Sequence, residues 1–137
     1  MVVEKALEWE GTPFHAGQSV KGVGTDCLGF VIGLYREIVG ELPVVVPLYA
    51  QDEPLRKNRE TLLEAAQAHL EEISEDEAIP GTVIVYRVAE GGFAQHAAVL
   101  IDGTIREGKI LHAKEGFGVT RTRVYQSAPI AGLFRFP

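Results

Sequence analysis

The chain has 137 residues, 46% of them hydrophobic and 23% charged, with one cysteine and a net charge of −6. That size suits one domain, and the composition excludes disorder as the main state. The acidic balance argues against a nucleic-acid binder, a lone cysteine excludes an internal disulfide, and no apolar run approaches the roughly 20 residues of a membrane span. Met1-Val-Val-Glu4-Lys5 lacks the basic start and apolar stretch of a secretory leader, so the expectation is a protein made in the cytoplasm without membrane insertion. Charge is uneven along the chain: residues 1–101 carry 16 acids and 7 bases, residues 102–137 carry 3 acids and 6 bases. A solvated acidic helix accounts for the first part; a basic docking face on the last third is the sharper reading.

Residues 3–9 place apolar side chains at helical spacing and predict a short helix, stopped by Gly11 and Pro13. Residues 11–26, with four glycines and a proline, are expected to be loop. Cys27, Phe30, Val31, Leu34, Tyr35 and Ile38 then form a helical stripe, with Asp26 as N-cap and Gly40 as the stop. Pro43, Pro47 and Pro54 make residues 42–54 an extended surface connection. Leu62, Leu63, Ala66 and Leu70 predict a second long helix over residues 54–72. After Pro80-Gly81 the period changes to two. Segments 82–88, 95–101, 109–113, 119–125 and 132–136 read as strands, several of them parted by Gly91-Gly92, Asp102-Gly103 and Glu107-Gly108. Helices first and strands last predict an α+β fold with an antiparallel sheet, residues 1–137 forming a single domain.

Cys27 is the most informative residue. A helix N-terminus offers free N–H groups and partial positive charge, which favour a thiolate and can hold an oxyanion beside it. Asp26 opposes the thiolate, so the sign of the net shift stays open at this point. A thiol nucleophile needs a base, and histidine is the usual one. His69 lies in the acidic helix and reads as solvated. His15 lies in the glycine-rich loop and is placed to line a cleft. His96 opens a strand whose alternation sets His96, Ala98 and Leu100 on one face and Ala97, Val99 and Ile101 on the other. His112 lies on the neighbouring strand, so the two rings can meet, one as base and the other orienting it. Cys27, His96 and His112 are also zinc-type ligands, but no close-spaced pair and no fourth ligand is evident, and no metal is expected. There is no P-loop, G-x-G-x-x-G or G-x-S-x-G, and no cofactor is expected.

These residues resemble a known family. Gly11-Thr-Pro-Phe14 followed by Gly24-Thr-Asp-Cys-Leu-Gly-Phe30 is similar to the nucleophile region of the NlpC-type papain-like cysteine peptidases. Ile79-Pro-Gly-Thr-Val-Ile-Val-Tyr86 resembles their P-G-D strand, Gln95-His-Ala-Ala-Val-Leu-Ile101 the strand bearing the catalytic histidine, and Ile110-Leu-His-Ala113 the strand bearing the third polar residue. The ending, Ile130-Ala-Gly-Leu-Phe-Arg-Phe-Pro137, resembles the branch found in phage tails and gene-transfer agents. The resemblance implies a nucleophile helix packed on a five- or six-stranded antiparallel sheet. It implies Cys27 as nucleophile, His96 as general base and His112 as its orienting residue, with Phe14, His15 and Asp26 in the substrate-binding and oxyanion region. It further implies a peptidoglycan stem peptide as substrate, cut at the γ-D-glutamyl–diaminopimelate amide, and a place on the virion tail beside tail-hub proteins. Three positions depart from the pattern. The family tyrosine is Phe14, which has no hydroxyl; His15 stands one register from its counterpart in tail-branch relatives; and the strand acid is Thr82. Phe14 favours a rival reading, a structural tail protein with the same fold, and a cytoplasmic thiol amidase or acyltransferase is the third.

Overall fold

The computed structural model describes residues 1–41, 61–87 and 94–137. Three α-helices are present among these, α1 (Val2–Leu7), α2 (Cys27–Ile38) and α3 (Thr61–His69), with a single 3-10 turn at Glu75–Glu77. The predicted first helix is shorter than its apolar stripe, because Trp9 belongs to the turn that follows, with its N–H on the Ala6 carbonyl. The glycine-rich stretch is not all loop. It contains a small antiparallel ribbon, β1 (Ser19–Val20) with β2 (Gly24–Thr25), closed by a bond from the Val23 N–H to the Val20 carbonyl.

The main sheet has six strands: β3 (Glu71–Glu72), β4 (Val83–Arg87), β5 (Ala94–Asp102), β6 (Lys109–Lys114), β7 (Gly118–Arg123) and β8 (Ile130–Arg135). Their order is β3-β8-β4-β5-β6-β7 and every pairing is antiparallel. With the helices packed on one side, the fold is the α+β arrangement expected. The second predicted helix ends early, at His69. Past Leu70 the chain is taken up by the edge of β8: Glu71 pairs with Arg135, Glu72 with Phe134, and the Ile73 N–H donates to the Leu133 carbonyl. Edge pairing thus replaces the last turn of the helix predicted to run to residue 72. The proline-rich connection of residues 42–54, the predicted helix start at residues 54–60 and the Gly91-Gly92 turn lie outside the described residues.

Strand alternation divides the core into two layers. Val83, Val85, Ala97, Val99, Leu111, Ala113 and Phe134 face the helices and pack with Trp9, Leu28, Phe30, Leu34 and Leu62. Ile84, Tyr86, Ala98, Leu100, Ile110 and Leu133 point the other way, under Ile73, Ile105 and Val124. The uneven charge is partly closed within the fold. Arg106, Arg121 and Arg135 of the basic last third pair with Glu75, Glu10 and Glu71. These exposed pairs add little stability, but they occupy half of the six cations on which a basic docking face would depend. Among the described residues no helix is long and apolar enough to cross a membrane.

Candidate active site

The nucleophile corner is held by one carboxylate. Asp26 has extended backbone at the N-cap (φ −105°, ψ −173°), and its Oδ1 accepts the Gly29 N–H of α2 at 2.7 Å. Its Oδ2 accepts the Gly17 N–H at 2.8 Å, so the same side chain fastens the preceding loop to the helix. This is N-cap chemistry used twice. Gly29 lets β1 come close to α2: a Cβ there would run into the Gln18 carbonyl, the Thr25 hydroxyl and the Asp26 carboxylate. Ser19 Oγ donates to the Gly29 carbonyl at 2.6 Å across the same contact. One turn on, Gly33 lies directly under the Trp9 ring, which is 2% exposed and donates its indole N–H to Glu37 at 2.8 Å. The short polar spacings of the sequence therefore seat the helix that begins at Cys27.

Cys27, the first residue of α2, turns its thiol to β5 and donates to the Gln95 carbonyl at 3.6 Å. The β5–β6 ladder pairs Val99 with Leu111 and Leu100 with Ile110 and does not extend to residue 96, which leaves this end of β5 open to the helix. His96 lies there, opposite Tyr86 of β4. Its Nε2 is 2.7 Å from Nδ1 of His112, and the two rings meet edge to face at 5.0 Å. His112 is fully buried, and its Nε2 is 3.0 Å from the Thr122 hydroxyl on β7. The adjacency of the two histidine strands is as the turn signals predicted.

The open sign of the thiol shift resolves upward. Burial, reinforced by the Asp26 charge, pushes Cys27 up to about 11, against the opposing pull of nearby backbone N–H groups. Burial and the Lys114 charge push His96 down to about 4. His112 falls to about 3 through burial, then His96 and Lys114. All three shifts run in the direction that favours an S–H group beside two uncharged imidazoles.

Cys27, Asp26, Phe14, Gln95, His96, Lys114, Glu115 and Tyr125 line one cleft. His15 is exposed and does not line it; its ring rests against Gly24. His69 sits instead beside an apolar cavity between α2 and α3. Tyr125 escaped the sequence reading. It follows β7, its ring packs edge-on against His96, His112 and Tyr86, and it brings a phenol to the cleft where Phe14 brings none. Burial and nearby Cys27 raise its pKa. Thr122 and Lys114 were also missed; the register of the β6–β7 hairpin, which sets His112 opposite Thr120, is the signal that locates them. Among the described residues, no three His, Cys, Asp or Glu side chains gather as a metal site.

Comparison with known proteins bears on the fold and the family. The NlpC/P60 family model matches residues 11–135. The chain is similar to solved structures of NlpC1 from Trichomonas vaginalis (16% identity, TM-score 0.69) and an NlpC/P60 family protein from Bacillus cereus (17%, 0.67). It is also similar to a lipoprotein-like NLP/P60 family protein from Staphylococcus aureus (23%, 0.59). The alignments cover 98% of this chain but 42%, 39% and 39% of the others, so the chain spans about two fifths of their length. At such identities the likeness establishes the fold. Comparison with curated proteins gives no match.

Proposed function

Because the chain belongs to the NlpC/P60 family, whose members are generally cysteine peptidases or amidases, we propose that it is a cysteine endopeptidase acting on peptidoglycan stem peptides. The observation that carries this reading is the shared cleft of Cys27 and His96, with His96 held by His112 at 2.7 Å. In the proposed reaction the Cys27 thiol leaves the Gln95 carbonyl and passes its proton to His96 as sulfur attacks the amide carbon. The tetrahedral oxyanion develops beside the Cys27 N–H at the start of α2. His96 then gives the proton to the leaving amine. Water, deprotonated by the same ring, attacks the thioester and returns free Cys27 and a carboxylate. His112 orients the His96 ring throughout. We assign the γ-D-glutamyl–diaminopimelate amide as the bond cut and a phage-like tail as the carrier; the latter rests on the resemblance of residues 130–137 to the tail branch.

A second reading, a structural tail protein of the same fold, draws on Phe14 and on a resting thiol that is both raised in pKa and bonded to a carbonyl. Mass spectrometry of stem-peptide muropeptides incubated with the protein and with Cys27→Ser separates the two. A fragment ending in γ-D-glutamate, made by the native protein and absent with the serine variant, is the expected result. Intact muropeptides with folded native protein would overturn the enzyme reading and leave the structural one.

A further inference from the structure

A 2.7 Å contact between two ring nitrogens needs one proton between them, and burial disfavours charge on either ring; with one proton on each ring, which nitrogen carries it decides what the pair can do. Their 2.7 Å contact permits two opposite polarities. In one, His96 donates from Nε2 to His112 Nδ1, and its own Nδ1 is left with a lone pair. In the other, His112 donates from Nδ1 and the His96 proton sits on Nδ1, where it blocks acceptance from a thiol. The two-histidine contact cannot choose between these forms. Something beyond His112 must.

That something is on β7. The Thr122 hydroxyl lies 3.0 Å from His112 Nε2 and 3.0 Å from the carbonyl of Arg123. A hydroxyl has a single proton, and a carbonyl can only accept. With its proton on the Arg123 carbonyl, Thr122 can only accept from His112. His112 then carries its proton on Nε2, offers a lone pair at Nδ1, and receives the His96 Nε2–H. The polarity runs from His96 through His112 and Thr122 to the main chain of β7.

We propose that Thr122 is a positioning residue that fixes the tautomers of both histidines, so that the Nδ1 lone pair of His96 stays open in the cleft shared with Cys27. Thr122 does not line the cleft; it acts through His112. When the thiol is deprotonated, its proton goes to His96 Nδ1. The imidazolium so formed keeps its Nε2–H on His112, whose own Nε2–H stays on Thr122, so no second proton has to move. The use of the lone pair rests on the peptidase reading; the tautomers do not.

The test is long-range proton–nitrogen NMR on protein with labelled histidine, which reports the tautomer of each ring without substrate. The native protein is expected to show the Nε2–H form for both His96 and His112. Thr122→Val keeps the shape and suits a strand but offers no acceptor; both rings are expected to move together toward the Nδ1–H form. Thr122→Ser restores the native pattern. Muropeptide cleavage by the valine variant should fall about tenfold in kcat with KM unchanged, the factor that one net hydrogen bond is worth, and serine should recover it. Native rings in the Nδ1–H form, or a folded valine variant with native tautomers, would overturn the proposal. Native tautomers as expected in a protein that cleaves no muropeptide would overturn the peptidase reading alone.

Discussion

The two faces of the main sheet are made from the same strands and carry different burdens. Toward the helices the buried side chains are apolar, from Val83 and Val85 on β4 through Val99 and Leu111 to Phe134 on β8. The opposite face starts in the same way, with Ile84, Leu100, Ile110 and Leu133, but at one end it holds Tyr86, His96, His112 and Thr122 against Tyr125. One face has only shape to satisfy. The other holds two imidazoles, His112 fully buried and His96 half-buried, whose charging in acid is penalised. The comparison teaches that stability and chemistry in this domain are separable, strand by strand and side by side.

The sharpest way to break that comparison is a matched pair of substitutions. Phe134→Ala empties a fully buried aromatic site on the helix face and should cost about 3–5 kcal/mol in denaturant unfolding. Its kcat, measured where the variant is folded, should be close to native. His112→Leu on the other face fills the same space with an apolar group but leaves His96 without its partner, and should cost about 1–3 kcal/mol at pH 7, less than the aromatic deletion. Its muropeptide cleavage should fall by about a thousandfold or more, as when a base loses its orienting partner. A native rate in His112→Leu, or a catalytic loss in Phe134→Ala as large as its stability loss, would merge the two faces again.

A smaller and more diagnostic effect is expected from pH. The folded-state pKa values of His96 and His112 lie near 4 and 3, below the usual 6.5. Between about pH 6.5 and those values the unfolded chain binds more protons than the folded one, so stability rises with pH in that window and is lost as pH falls through it. The two shifts together should contribute several kcal/mol of acid-sensitive stability, visible as a steeper fall between pH 6.5 and 4 in the native protein than in His112→Leu. Equal slopes would mean the rings are not buried as neutral groups. The thiol gives the complementary reading. With Cys27 near 11, alkylation by iodoacetamide should be slow at pH 6 and climb tenfold per pH unit through pH 9. A plateau beginning near pH 6 would reveal a standing thiolate–imidazolium pair instead.

The same division explains which parts of the molecule could be read from the chain. The Asp26–Cys27 helix start and the strand alternation through His96 are local: caps act within three residues and a strand repeats every two. Both appear where the residues predict them. The β1–β2 ribbon and β3 were missed because each depends on a partner, one on a reversal among glycines and the other on the β8 edge. Thr122 and Tyr125 are legible only once the β6–β7 register and the exit from β7 are known, since one residue of slip would turn Thr122 away from His112. His15 shows the converse, with closeness in sequence to Cys27 not placing it in the cleft. The polar end of the sheet is built from long-range register, and a single sequence records that least well.

Tyr86 marks where the polar end stops. It is 1% exposed, sits opposite His96 on β4, and among the described residues its hydroxyl is the buried side-chain polar atom without a hydrogen-bond partner. Its ring meets Tyr125 edge-on at 5.0 Å, a contact that needs no hydroxyl. Burial of this hydroxyl, offset only in part by the nearby Tyr125 main chain, is a cost, and it also raises the pKa of the phenol. Tyr86→Phe should therefore stabilise the protein by about 0.5–1 kcal/mol, with the tautomers of His96 and His112 and the rate of cleavage unchanged. A loss of stability of that size would mean that the hydroxyl has a partner in solution and that the hydrogen-bonded face reaches across β5 onto β4. An unchanged fold with altered histidine tautomers would instead place Tyr86 in the same relay as Thr122, entering it from the opposite side of the pair.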